Sequence, residues 1–366
     1  VTAPGDAARY LLPEAVNRRI FSEQIVPDLL SGRTPQQTPA VVFLVGQPGA
    51  GKSRVTAMVA EVLNKRGGFV DVDSDLYKPF HPRYDELLAQ DDKLMAAYTR
   101  ADGRSWMAKA HEYVREHRLN AVIQETSQDA VAVERTMLAY RQAGFRVEAM
   151  FLAVSQAQSD QGIVNRYFEQ VAERGHGRLT VQANADQSYR GILDLADRID
   201  VARPADQVAV FRRGEGAPRY TNTVTAGRWQ SEPGLRAAVE TERSRPWTAK
   251  ESADFRAVQH KLRTHMGPEW SERLDRIDAL AAGLMTPAGQ PERGPAAAAR
   301  ARSTTPGTPP GTTPGTTPGT TPGTTPRATP GTPSVPGQGA APGATGQPAH
   351  LRRSGPERPR GRGPGA

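Results

Sequence analysis

The octet Gly46-Gln47-Pro48-Gly49-Ala50-Gly51-Lys52-Ser53 limits this chain more than any other stretch, because it meets G-x-x-x-x-G-K-[ST] at every fixed position. Six apolar residues, Ala40 to Val45, run into it, with the length and character of a strand buried on both faces. Behind it Val55, Val59, Val62 and Leu63 recur at the spacing of one helix face. Strand, glycine loop and helix therefore come in the order that a phosphate cradle needs. The glycines let backbone N–H groups curl around a phosphate, and the helix N-terminus adds its partial positive charge. Lys52 is expected to reach the β- and γ-phosphates, and Ser53 to set its hydroxyl on Mg²⁺. The stretch reads as a site for a nucleoside triphosphate.

Around this unit the pattern alternates. Strands are expected near 69–73, 121–124 and 147–154, with helical segments at 85–98, 104–118, 130–143, 156–174 and 184–195 between and after them. A helix over 11–30, with Pro13 in its first turn, precedes them. A hairpin over 208–221 and helices at 232–242, 250–265 and 270–285 follow. The predicted fold is α/β: a P-loop NTPase-like, mostly parallel sheet flanked by helices. Ligands in such sheets bind beyond the carboxyl ends of the strands.

Composition divides the chain in two. From Pro287 onward large apolar residues almost vanish and a TPGT unit recurs, so 287–366 is expected to be a disordered, Pro/Gly/Thr/Arg-rich tail and 1–286 the folded domain. The tail holds nine arginines against two glutamates, which accounts for seven of the eight net positive charges. The body is thus nearly neutral and carries no nucleic-acid signature; contact with nucleic acid or a membrane is left to the tail. Without cysteine there are no disulfides or thiolate metal sites. No apolar run has membrane-spanning length and residues 1–30 lack a signal-peptide core, so a soluble, cytoplasmic protein is expected.

The acceptor side offers carboxylates. Asp71, Asp73 and Asp75 alternate along the second strand, which is expected to leave Asp75 just past its end, near the phosphate loop. There it can take a proton from an attacking hydroxyl, or equally form an acidic turn or hold a Mg²⁺-bound water. Glu125-Thr126-Ser127 at the end of the third strand can bind hydroxyls or a metal-bound water; Ser127 or Asp129 can also cap the next helix. Arg166, and Arg178 in a glycine-flanked loop, are of the type that neutralises a phosphoryl group in transfer, although an arginine in such a place is more commonly a surface residue.

The octet, Asp73-Ser74-Asp75, His81-Pro82-Arg83-Tyr84-Asp85-Glu86-Leu87, Glu125-x-Ser127, Asn165-Arg166-Tyr167 and Arg178 together resemble the zeta toxin family, from about residue 11 to the 250–265 helix. The resemblance implies a small-molecule kinase, the toxin half of a toxin–antitoxin pair. Such a kinase moves the ATP γ-phosphate to the 3′-hydroxyl of the amino sugar in UDP-N-acetylglucosamine and so interferes with peptidoglycan synthesis. It makes Asp75 the general base, Lys52 the phosphate lysine, Ser53 the Mg²⁺ ligand, and Arg166 and Arg178 the charge-neutralising arginines. Arg104, Glu125, Thr126 and Ser127 fall to the acceptor pocket, and His81 either shapes that pocket's wall or is a structural loop histidine. Met107 and Gln128 depart from residues found in some family members, and both bear on the acceptor. The adenosine ribose of NAD is the second acceptor that the fold suggests. No three-helix antitoxin segment is evident, so an antitoxin would be a separate polypeptide.

Overall fold

Ala40–Val45 is strand β1, and every residue of it is buried. A strand with no wettable face must have neighbours on both edges and helices on both sides. In the computed structural model, which describes residues 8–90 and 95–287, it lies between β3 (Ala121–Glu125) and β4 (Arg146–Ala153), parallel to both. The sheet has seven strands in the order β2-β3-β1-β4-β5-β6-β7. Strands β2 (Val70–Val72) and β5 (Gln207–Arg212) extend the parallel part, while β6 (Pro218–Thr225) and β7 (Arg228–Trp229) turn back antiparallel at one edge. The chain order reverses beside β1, so the carboxyl ends of β1, β3 and β4 frame a crevice.

Helices α1 to α12 surround it: Glu14–Ile20, Ser53–Asn64, Ser74–Tyr77, Tyr84–Gln90, Met95–Tyr98, Arg100–Glu116, Ala130–Gln142, Gln156–Arg174, Gln182–Ala202, Leu235–Ser244, Ala249–His265 and Ser271–Ala281. One sheet face presents Val42 and Leu44 to Val55, Val59 and Leu63 of α2; the other presents Val41, Phe43 and Val45 to a larger core with Trp106 and Tyr140. Val62, which the sequence pattern sets on the packed face of α2, is 57% exposed; the stripe Val55-Val59-Leu63 leaves it to the side. A third cluster joins Trp247, Phe255, Leu262, Leu274 and Ile277 to Ala157 and Val164, so α11 and α12 brace α8.

Two elements depart from expectation. The first helix holds α geometry only to Ile20; Phe21–Leu30 is wound with five-residue hydrogen bonding around Pro27. Its buried residues Ile25 and Leu30, and Ile20 just before it, fall five apart, the hydrogen-bonding step of that wider helix. The second strand spans Val70–Val72, shorter than the expected 69–73, and Asp75 lies past its end in α3, which Asp73 caps by accepting from the Asp75 N–H. Asp129, not Ser127, caps α7. Among the described residues no helix is long and apolar enough to cross a membrane. The expected tail, apart from Pro287, lies outside the described residues.

Candidate active site

The phosphate loop is held from behind. Gly49 and Gly51 adopt positive φ of 78° and 82°, a region that favours glycine. Gly49 also presses against α8: a Cβ there would stand 2.2 Å from the Ser159 carbonyl oxygen, and one on Gly162 would stand 2.5 Å from the Gly49 carbonyl oxygen. Ser159 Oγ donates to the Pro48 carbonyl at 2.6 Å. Gln47 is buried under the loop, with Nε2 donating to the Val154 carbonyl at 2.9 Å, and Ala50 is buried against the α2 side of the sheet. Gly46, Gln47, Pro48 and Ala50 therefore shape the loop, leaving Gly51 and Ser53 exposed at the N-terminus of α2. Lys52 folds back on its own loop, Nζ donating to the Gly46 carbonyl at 2.7 Å. Burial lowers its pKa, opposed by the nearby carboxylates of Asp73, Glu125 and Asp75.

Asp75 meets the arginines across the crevice. It forms ion pairs with Arg178 and, at 2.7 Å, with Lys78 on the next turn. Burial pushes its pKa up, but the two cations outweigh that and hold the carboxyl well below the usual carboxylate range. Burial and then Asp75 push the Asp73 carboxyl up. Arg166 donates from Nη2 to Thr180 Oγ1 at 3.2 Å, while its buried Nε has no partner. Burial and then the Arg178 charge bring Arg166 down to about 10. Arg178 is anchored by its backbone N–H, which donates to Gln170 Oε1 at 2.8 Å. Lys52, Asp75, Arg166 and Arg178 thus form one electrostatic cluster.

Glu125 Oε1 accepts from the N–H groups of Thr126 and Ser127 at 2.8 and 2.7 Å, which folds the loop after β3 onto its own carboxylate. Burial raises the Glu125 pKa, opposed by those N–H groups and by Lys52 and Arg104. Ser127 is fully buried at φ +56°, its carbonyl packed where a Cβ on Gly191 would stand 1.9 Å away, and its Oγ has no partner. Unpartnered buried atoms such as Ser127 Oγ and Arg166 Nε are rare in folded proteins and fit a site that receives a ligand. Arg104 is exposed one turn along α6 from Arg100, which donates to Gln128 Oε1 at 2.6 Å.

His81 stands apart from this set. Its side chain is fully enclosed: Nδ1 accepts from the Arg83 N–H at 3.2 Å and Nε2 donates to the Tyr10 carbonyl at 3.0 Å. With both nitrogens engaged, the ring pins the 81–83 turn to the N-terminal segment and offers no atom to an acceptor. Of the two roles expected for His81, this is the structural one.

Four further residues stand at the site to which the sequence reading gave no role. Lys78 follows Asp75 by one helical turn, a spacing readable only once α3 is known to be helical. Tyr84 lies within the field of Arg178 and Asp75. Arg213, after β5, lies over Gly51 with its Nε 3.2 Å from where a Cβ would stand, and Nη1 donates to the Gln158 carbonyl at 3.0 Å. Arg243 reaches Gln47 from α10. The last two are far from the octet in sequence, and no local pattern marks them.

Comparison with known proteins gives a family and a fold. A family model described as Zeta toxin matches residues 28–225. The Streptococcus pyogenes protein named Toxin zeta is 21% identical over 259 residues, covering 66% of this chain and 88% of that one. The Toxin zeta of Streptococcus agalactiae is 25% identical over 167 residues, covering 46% of this chain and 56% of that one. The chain thus matches little more than half the length of the latter relative. In fold it is similar to a structure described as belonging to the PezAT chromosomal toxin–antitoxin system of Streptococcus pneumoniae, with TM-score 0.57 and 16% identity over 73% of this chain and 98% of that chain.

Proposed function

The chain belongs to the zeta toxin family, and from that premise we propose that it transfers the γ-phosphate of ATP to the 3′-hydroxyl of the amino sugar in UDP-N-acetylglucosamine. The observation that carries this reading is the ion pair of Asp75 with Arg178 beside Arg166 and Lys52, at the mouth of the glycine cradle. In the proposed step the acceptor oxygen forms a bond to Pγ. The bond from Pγ to the β–γ bridging oxygen breaks, ADP leaves, and the hydroxyl proton passes to Asp75. A carboxylate of such low pKa is a weak base toward an intact alcohol. In a loose transition state its proton transfer falls late, when the oxygen is already bonding to phosphorus and has become acidic. Until then Asp75 orients the hydroxyl. Lys52, Arg166 and Arg178 spread positive charge over the transferring oxygens.

Among the described residues no group of three or more acidic or histidine side chains could by itself hold a metal. That suits Mg²⁺ held largely by nucleotide phosphates and water, with the exposed Ser53 hydroxyl as its protein ligand. Bound there, Mg²⁺ would neutralise phosphate charge. Glu125, Thr126, Ser127 and Arg104 would face the acceptor, and a separate antitoxin polypeptide would restrain the enzyme.

The experiment is an acceptor screen by mass spectrometry with ATP and Mg²⁺. UDP-N-acetylglucosamine should gain one phosphate group. Release of inorganic phosphate with every acceptor unchanged would count against transfer. Phosphorylation of NAD instead would favour the adenosine ribose as acceptor.

A further inference from the structure

Arg243 is the penultimate residue of a helix remote in sequence from the cradle, and it is only 5% exposed. Its guanidinium lies 3.9 Å above the Tyr189 ring, and Nη1 donates to the Tyr189 carbonyl at 2.8 Å. Nη2 donates to Gln47 Oε1 at 3.3 Å, and Nε is buried without a partner. Among the described residues no carboxylate forms an ion pair with it. Glu240, the acidic residue one turn earlier on α10, is engaged by Arg236 at 3.0 Å. A buried cation without a counter-ion is costly, and proteins keep one where something compensates it.

Gln47 supplies the link. It is 1% exposed, inside the glycine octet, and its two ends are committed: Nε2 to the Val154 carbonyl, Oε1 to Arg243. Hydrogen bonds therefore run from the end of β4 through the phosphate loop to α10 and α9. We propose that Arg243 is a positioning residue for nucleotide binding, holding the Gln47 amide beneath the phosphate loop, with its unpaired charge balanced by the phosphates of the bound nucleotide. This rests on the reading of residues 46–53 as a triphosphate site. A strut that merely attached α10 would need neither the charge nor the bond to Gln47.

The test measures binding of a fluorescent ATP analogue and of uncharged adenosine to the wild type, Arg243→Met, Arg243→Lys, Gln47→Leu, the Met/Leu double variant and Lys52→Ala, with thermal melts checking that each is folded. Removing one charge-assisted hydrogen bond should weaken the ATP analogue about 10- to 100-fold. Adenosine binding should not change. Arg243→Lys should recover part of the loss, and the double variant should bind no worse than the weaker single one. Arg243→Met within about twofold of the wild type would overturn the proposal. So would additive losses in the double variant, or equal losses for ATP and adenosine. Should Arg243→Met not fold, Arg243→Lys and Gln47→Leu decide: wild-type affinity in both overturns it. A wild type that binds the analogue no better than Lys52→Ala would mean that the triphosphate site itself is misread, and the proposal falls with it.

Discussion

Arg178 pairs with Asp75 across the crevice, joining the loop after α8 to the first turn of α3. Neither residue lies on the glycine octet, and 103 positions of sequence separate them, yet the pair meets the field of Lys52. Removing Asp75 takes away the ion-pair partner of Arg178, while removing Arg178 leaves Asp75 with Lys78 alone. Arg178→Ala should therefore slow transfer more than it weakens ATP binding, by roughly 10²–10⁴-fold in kcat. Asp75→Asn should do the same with the fold intact. Steady-state kinetics with separate KM values for ATP and acceptor check both. Because the Asp75 carboxyl is held below the ordinary range, its ionisation should give no acid limb between pH 5 and 8.

The contact between Gly49 and α8 makes a steric prediction. Gly49→Ala combines a positive φ with a Cβ 2.2 Å from the Ser159 oxygen, and Gly162→Ala meets the same contact from the other side. Each should destabilise by about 2–4 kcal/mol and weaken ATP binding. Gly32→Ala has the same sign of φ and nothing within 4 Å, so it should cost only about 1 kcal/mol. Chemical denaturation of the three variants separates crowding from backbone strain.

Asp71 should make stability depend on pH. Burial, then the neighbouring Asp73, push its carboxyl up to about 7, and its Oδ1 is buried without a partner. Between its unfolded pKa near 4 and its folded value the native state holds a proton that the unfolded chain has lost. The Asp71 contribution therefore falls as pH rises from about 4 to 7. Asp71→Asn should remove that slope and raise stability at pH 8 by ~1–3 kcal/mol. Equal denaturation midpoints for the two proteins at pH 5 and pH 8 would contradict this.

His81 separates a structural role from a catalytic one. His81→Leu loses two buried hydrogen bonds and should cost ~1–3 kcal/mol of stability. The acceptor KM of the protein that remains folded should stay close to the wild-type value.

The sequence already displays the half of the site that is built from adjacent residues. Strand β1, the octet and α2 are contiguous, and their periodicities change where the structure changes. Other features depend on what lies across space. The strand carrying Asp71 stops at Val72, and the Asp73 side chain accepts from the Asp75 N–H, which starts a helix there instead. Alternating carboxylates do not announce that competition. The five-residue spacing of Ile20, Ile25 and Leu30 is visible in the sequence, yet it matches neither of the common periods against which a chain is read. Arg213 and Arg243 reach the cradle only because β5 and α10 are laid beside it. Asp75, Arg166 and Arg178 stand out as candidates from their residue types and positions, and resemblance to a family chose among their roles; it also drew His81 toward a pocket, whereas its enclosed ring holds the 81–83 turn.

The central claim is that Asp75 and the cradle act on one phosphate in transfer. Single-turnover reaction of saturating enzyme with γ-labelled ATP and UDP-N-acetylglucosamine tests it most directly, comparing the wild type with Asp75→Asn under conditions where both bind ATP. Label should appear on the sugar nucleotide for the wild type, at a rate at least ~10²-fold lower for the variant at unchanged ATP affinity. Equal transfer rates in the two proteins, or label appearing only as free phosphate, would contradict it.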